Sequence, residues 1–180
     1  MNEPTVHELF EPVTGTWQYV VADPTTHHAV IIDPVLNYDA SKGVITTESA
    51  DMILKMVAEK NYEIDMILET HAHADHLTAA SYIQAALAKN PGHRPLVGIG
   101  GRIKQVQQLF GQRYGVGADE YENAFDKLFE DDEEFEIGTL TARAIHLPGH
   151  TPDHMGYKIG SECTGPWDTM EKNTDTGHSR

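Results

Sequence analysis

Side chains that bind metals are concentrated in one short run of the chain. The run Thr70-His71-Ala72-His73-Ala74-Asp75-His76 holds three histidines and one aspartate within seven residues. Imidazole and carboxylate groups together are a ligand set suited to zinc or iron. His71 and His73 are two residues apart, so in an extended segment they point to the same side. The run therefore predicts a metal site, with His71, His73, Asp75 and His76 as candidate ligands.

The flanks of this run place it on a loop after a strand. The apolar segment Met66-Ile67-Leu68 precedes it, and a helical pattern starting near Leu77 follows. Loops between a strand and a helix are the usual position of chemistry on an α/β scaffold. A second polar loop, Leu147-Pro148-Gly149-His150-Thr151-Pro152, also follows a strand pattern. We take its His150 as a further candidate ligand, the alternative being a solvent-exposed loop histidine.

The rest of the pattern predicts a mixed α/β domain. Strands are expected early in the chain, before and between the two loops, and after the second loop, with helices between them. The predicted strands cover 6–10, 16–22, 29–33, 64–69, 96–99, a hairpin within 135–145 and 155–159, and the predicted helices cover 49–60, 79–89 and 102–110. We expect residues 1–160 to form one domain and the polar residues 161–180 to be an irregular or disordered tail.

Composition limits the classes of partner and compartment. The chain has 180 residues and a formal net charge of −15, which argues against nucleic acid or an anionic membrane as a partner. No apolar run approaches the length of a membrane span. The single cysteine, Cys163, allows no internal disulfide. Residues 1–5 lack the features of a signal or transit peptide, so we expect a cytoplasmic protein.

The two motifs together resemble those of a known family. His-x-His-x-Asp-His followed by Gly-His-Thr-Pro is similar to the metallo-β-lactamase superfamily over residues 5–160. The segments 32–39, 69–77 and 147–152 more closely resemble the persulfide dioxygenase branch, which is related to glyoxalase II. The resemblance implies an αββα sandwich with the metal at the strand ends. It also implies one non-haem Fe²⁺ and a small-molecule substrate, glutathione persulfide or a related thiol, oxidised to sulfite. A homo-oligomer is compatible with it.

The resemblance also implies roles for the candidate ligands. The iron would be held by His71, His150 and a later aspartate, while His73, Asp75 and His76 would surround it. In the dinuclear hydrolase relatives these same residues would bind metal directly. Zn²⁺ is the alternative ion, but zinc has no redox chemistry and would only polarise a bond or activate water.

The end of the sequence departs from the family pattern. Where the family has Thr-Gly-Asp, this chain has Thr164-Gly165-Pro166, and Asp168 is the nearest carboxylate. We therefore expect a truncated or altered end, an incomplete second half of the sandwich and a short form of low activity. Two other functions stay open: a metal-dependent thioester hydrolase of glyoxalase II type, and a non-catalytic metal-binding fragment. Asp33 is expected either to support a ligand histidine or to end its strand, and His154 either to line the site or to pack elsewhere.

Overall fold

The structure is a computed structural model that describes residues 3–89, 92–160 and 162–164. Its strands are β1 (Thr5–Glu11), β2 (Thr16–Ala22), β3 (His28–Ile32), β4 (Val35–Asp39), β5 (Val44–Thr46), β6 (Glu63–Leu68), β7 (Leu77–Thr78), β8 (Leu96–Gly100), β9 (Lys127–Phe129), β10 (Glu134–Ile137), β11 (Leu140–His146), β12 (Met155–Ile159) and β13 (Glu162–Thr164). Its α-helices are α1 (Glu48–Lys60), α2 (Ala80–Leu87) and α3 (Ile103–Tyr114). No α-helix in this described part is long and apolar enough to cross a membrane.

Two main sheets organise these strands. The larger sheet has the order β1-β2-β3-β6-β8-β9, and the other has the order β10-β11-β12-β13. In the larger sheet β3, β6, β8 and β9 run parallel, so their carboxyl ends meet at one edge. A third, small sheet has the order β5-β4-β7, and its strand β7 directly follows the histidine-rich loop. The ends of β3 and β6 therefore place Asp33 and the histidine-rich loop at this edge of the larger sheet.

Alternating side chains of the larger sheet build two cores. In β2 and β3, Val21 and Val30 belong to a cluster with residues of the four-stranded sheet, such as Tyr157. Their neighbours face the other way, and Ile31 packs in a cluster with Ile53 of α1. This is the period of two that a strand buried on both faces requires. The result is a helix layer, a sheet and a second sheet, which follows the αββ part of the expected αββα order.

The predicted elements are present, and several short ones were missed. The chain forms strands on both sides of Asp33-Pro34, where we expected only a stop. Leu77–Thr78 is a strand rather than the start of a helix, because it pairs with Val35 and Leu36, and α2 begins only at Ala80. Glu162–Thr164, in the predicted tail, pairs with β12. The remainder of that tail, residues 165–180, lies outside the described residues.

Candidate metal centre

One backbone contact brings the two polar loops together. β6 ends at Leu68, and the carbonyl of Thr70 then accepts a hydrogen bond at 2.8 Å from the amide of Met155, the first residue of β12. The histidine-rich loop leaves β6, and the loop of His150 enters β12. The larger sheet and the second sheet therefore meet where both candidate motifs lie.

Five histidine rings gather at this junction. The ring centroids of His71 and His73 are 4.2 Å apart, and those of His73 and His76 are 4.1 Å apart. His150, from the other loop, lies 4.9 Å from His71 in an edge-on arrangement of 89°. His154 lies 4.8 Å from His71 and 5.9 Å from His150. The structure thus brings together the candidate ligands His71, His73, His76 and His150, and places His154 beside them.

Asp33 is the buried anchor of the centre. It follows β3 with a left-handed backbone, φ 48°. Its Oδ1 accepts hydrogen bonds from the backbone amide of Thr70 at 2.7 Å and from Nε2 of His73 at 3.1 Å. Its Oδ2 accepts from the hydroxyl of Thr70 at 2.7 Å. Of the two roles considered for Asp33, the structure shows the support of a candidate ligand histidine.

These hydrogen bonds set which ring nitrogens remain free. The hydroxyl of Thr70 donates to Asp33, so it can accept from Nδ1 of His71, 2.9 Å away. His71 then carries its proton on Nδ1 and presents the lone pair of Nε2. Nε2 of His73 is occupied by Asp33 and by Glu69, at 3.1 and 3.0 Å. His73 is therefore left with Nδ1 as its free nitrogen.

Burial and charge act differently on these groups. Burial lowers the pKa of His71 to about 4, helped by the neighbouring charge of His73, so its imidazole is neutral near pH 7. Burial also opposes the charge of His73, but hydrogen bonds to Asp33 and Glu69 outweigh it and raise the pKa of His73. Burial raises the pKa of Glu69 despite its hydrogen bond with His73. Asp33 and His73 thus form a buried carboxylate–imidazole pair, and the neutral ring of His71 is available as a ligand.

Asp75 and His76 form the outer part of the centre. The side chain of Asp75 is 57% exposed, and its Oδ1 lies 3.4 Å from Nδ1 of His76. One ligand atom each from His73, Asp75 and His76 lie within 4.8 Å of one another, a spacing that could hold a cation. His150 is exposed as well. The carboxylates of Asp33 and Glu69 therefore lie on the buried side of the centre, and Asp75 and His150 lie on its solvent-exposed side.

Sequence reasoning missed Glu69 and Asp153 and left His154 open. Glu69 is 2% exposed, Asp153 1% and His154 2%. Within the described residues neither ring nitrogen of His154, nor Oδ1 of Asp153, has a hydrogen-bond partner. The sequence could have indicated Glu69, because a carboxylate directly after an apolar strand is unusual unless it has a partner. Asp153 and His154 had no such signal, because the turn that buries them depends on contacts with the other loop.

The predicted site residues are thus adjacent in space, and their role as ligands stays a prediction. The third ligand considered from sequence, Asp168, lies outside the described residues. The neutral ring of His71, whose Nδ1 is engaged by Thr70 and whose Nε2 is free, shows that the residues present fit a metal ion.

Comparison with known proteins identifies a family for this arrangement. Residues 12–162 match the model of the metallo-beta-lactamase superfamily. A probable metallo-hydrolase of Burkholderia pseudomallei is 36% identical over 86% of this chain and 51% of its own. Glyoxylase B2 of Dictyostelium discoideum is 35% identical over 94% of this chain and 57% of its own. The human mitochondrial persulfide dioxygenase ETHE1 is 26% identical over 86% of this chain and 47% of its own.

A solved structure supports the same branch. The crystal structure of ETHE1 from Myxococcus xanthus superimposes with a TM-score of 0.64 at 26% identity, over 88% of this chain and 55% of that one. The persulfide dioxygenase homologues and this neighbour support the branch that the motifs resemble. The chain spans about half the length of the curated relatives named here.

Proposed function

Because the chain belongs to the metallo-β-lactamase superfamily, whose members are generally enzymes, we propose that its centre serves an iron-dependent persulfide dioxygenase. The substrate would be glutathione persulfide or a related thiol, and the name of the human relative, a persulfide dioxygenase, supports a persulfide as the substrate class. The observation that carries the proposal is the edge-on approach of His71 and His150, 4.9 Å between ring centroids, from two separate loops. An ion bound to one nitrogen of each ring could join two imidazoles that approach in this way.

Two donors of such a site, His71 and His150, lie among the described residues. His71 would bind through Nε2, because Thr70 occupies Nδ1. His150 would bind from the opposite loop, and a carboxylate would complete a two-histidine, one-carboxylate set. When bound, a ferrous ion supplies the O₂ chemistry that zinc lacks. His73, fixed by Asp33, stands beside this set with Nδ1 free.

The residues around the centre divide into an interior and an access side. Asp33 and Glu69 are buried and hold the ligand rings from behind. Asp75 and His150 are exposed, so the substrate and O₂ would approach past them. In the overall reaction the sulfur–sulfur bond breaks, the inner sulfur leaves as the thiol, and O₂ with one water oxidises the outer sulfur to sulfite. The centre needs open ligand positions on this exposed side, and the deep carboxylates leave it unobstructed.

A metal-dependent thioester hydrolase is the second candidate. One observation favours it: His73, Asp75 and His76 bring three ligand atoms within 4.8 Å, which offers a position for a second ion beside the first. Two adjacent ions are a recurrent arrangement in hydrolases, where they orient and activate water. The 35% identity to glyoxylase B2 supports the same alternative.

Two assays on the same protein separate these functions. The chain is loaded anaerobically with Fe²⁺ or with Zn²⁺, and each form is given glutathione persulfide under O₂ or a glutathione thioester. The proposal predicts O₂ uptake and sulfite formation by the Fe²⁺ form, and neither by the Zn²⁺ form. Thioester cleavage by the Zn²⁺ form without O₂ uptake by the Fe²⁺ form would support the hydrolase. Saturable metal binding without either reaction would support a non-catalytic role.

A further inference from the structure

We propose that Glu69 is a positioning residue that acts on the metal centre through His73, an inference that rests on the proposed function. Oε2 of Glu69 lies 3.0 Å from Nε2 of His73, and Oδ1 of Asp33 lies 3.1 Å from the same nitrogen. A ring nitrogen carries one hydrogen, so the two carboxylates share a single donor. Two acceptors around one N–H fix the direction in which the imidazole faces.

Glu69 is itself held in place by groups from three other parts of the fold. The hydroxyl of Thr78 in β7 donates to its Oε1. Its backbone amide donates to the carbonyl of Gly98 at 2.9 Å, and its carbonyl accepts from the hydroxyl of Tyr157 at 2.9 Å. The side chain is 2% exposed. A carboxylate fixed in this way can orient a ring, because its own freedom has already been lost.

The carboxylates of Asp33 and Glu69 support different sets of histidines. Asp33 bonds to Thr70, which contacts His71, and also to His73, so it supports both histidines. Within the described residues the hydrogen bonds of the Glu69 carboxylate are to His73 and Thr78. Removing the Glu69 carboxylate should therefore disturb His73 and leave His71 in place. This selectivity distinguishes a positioning role from a general contribution to stability.

The carboxylate also acts on the metal affinity of the ring. A carboxylate hydrogen-bonded to the far nitrogen of a histidine fixes its tautomer and increases the basicity of the nitrogen that faces the metal. Loss of such a partner typically weakens metal binding by about 10–100-fold. In this chain Nε2 of His73 is engaged by the two carboxylates, so His73 would bind an ion through Nδ1. Its ligand neighbours would be Asp75 and His76, which each have a ligand atom within 4.8 Å of one on His73. Glu69 would thus increase the affinity of His73 for a metal ion without itself contacting the ion or the substrate.

The test compares Glu69→Gln and Glu69→Ala with the unmodified chain. The amide oxygen of glutamine still accepts from His73 but carries no charge, and alanine removes both effects. The matched control is Glu63→Gln at the start of β6, the strand that Glu69 follows; the Glu63 side chain is 57% exposed. Ring ¹⁵N–¹H NMR of the metal-free protein reports whether Nε2–H of His73 is held in one hydrogen-bonded state. Zn²⁺ affinity is measured by competition with a chelator.

In Glu69→Ala, Asp33 remains as an acceptor for Nε2–H of His73. We therefore expect the Nε2–H signal to shift and broaden, the His71 signals to be kept and Zn²⁺ to bind about 100-fold more weakly. Glu69→Gln should keep the signal and bind roughly tenfold more weakly, and Glu63→Gln should match the unmodified chain. Unchanged His73 signals and Zn²⁺ affinity in Glu69→Ala would overturn the inference. Should alanine unfold the chain, unchanged affinity in folded Glu69→Gln would overturn it as well. Failure of the unmodified chain to bind Zn²⁺ would count against the proposed function, while the NMR comparison would still decide the role of Glu69.

Discussion

The carboxylate of Asp33 accepts hydrogen bonds from both the backbone amide and the hydroxyl of Thr70, each at 2.7 Å. The first bond fixes the start of the histidine-rich loop. The second directs the hydroxyl hydrogen at Asp33, so that the hydroxyl oxygen can accept from Nδ1 of His71. A residue at the end of β3 therefore determines which nitrogen of His71 faces outward. Asp33 acts on His71 indirectly, through the hydroxyl group of Thr70.

Thr70→Val should weaken metal binding without moving the loop. Valine keeps the shape and the backbone amide but removes the hydroxyl, so the tautomer of His71 is no longer fixed. We expect Zn²⁺ affinity to fall by about 10–100-fold, measured by chelator competition. Thr141→Val, on an exposed position of β11, is the control and should bind as the unmodified chain does. Equal affinities of the two variants would show that the hydroxyl does not orient His71.

His154→Leu should leave the metal-free protein as stable as before or more stable. The ring is 2% exposed, and within the described residues both of its nitrogens lack a hydrogen-bond partner. An unsatisfied buried polar group costs about 1–3 kcal/mol, which leucine would remove. Urea unfolding measures the change. Tyr157→Phe is the contrast, because that hydroxyl donates to the carbonyl of Glu69, and its loss should destabilise by about 1 kcal/mol. A large loss of stability in His154→Leu would mean that the ring has a partner.

The stabilising effect of Asp23 should disappear in acid. Burial opposes its charge, but hydrogen bonds from Thr139, Thr25 and Thr26 hold the pKa of Asp23 well below its usual 3.8. A carboxylate with a lowered folded-state pKa stabilises the fold above its unfolded pKa, and this contribution is lost as the pH falls below that value. The difference in unfolding free energy between the chain and Asp23→Asn should therefore be constant from pH 7 to about 5 and shrink below about 4. Urea titrations at several pH values measure it, and a difference independent of pH would contradict the assignment.

Both motifs and most strands could be predicted from sequence, because they depend on local patterns. The alternation in β2 and β3 and the spacing of His71, His73 and Asp75 are visible without a structure. The pairing of Leu77–Thr78 with Val35–Leu36 could not be predicted from sequence, because the segment after His76 fits the start of a helix equally well. Tertiary pairing decided that segment.

The supporting groups of the centre were harder to predict than its candidate ligands. Asp33 precedes Thr70 by 37 positions and contacts it only because β3 and β6 are parallel neighbours. The burial of Asp153 and His154 results from packing against the other loop, where Oδ2 of Asp153 accepts from the amide of Ala72 at 3.2 Å. Such groups have no sequence spacing of their own. They become visible only when the sheet order is known.

Pro166→Asp should strengthen the binding of Fe²⁺. Pro166 stands in the sequence where the family resemblance places the aspartate of Thr-Gly-Asp, so the substitution restores that triplet. An anionic ligand added to two imidazoles completes the set that non-haem ferrous sites use. We expect a clear gain in Fe²⁺ affinity in anaerobic titrations, and Pro166→Asn, which lacks the charge, should give less. Equal Fe²⁺ affinity in Pro166→Asp and the unmodified chain would mean that another group already supplies the third ligand.

The central claim is that His71 and His150, from two loops, bind the same ion. Anaerobic Fe²⁺ titration of the unmodified chain, His71→Ala, His150→Ala and His27→Asn tests it most directly. His27 lies in an exposed turn with φ 65°, and asparagine tolerates that backbone, so this variant is the control. The account predicts saturable binding of one Fe²⁺ per chain in the unmodified protein and in His27→Asn, and its loss in each of the other two variants. Retention of the same binding in His150→Ala would contradict the two-loop site.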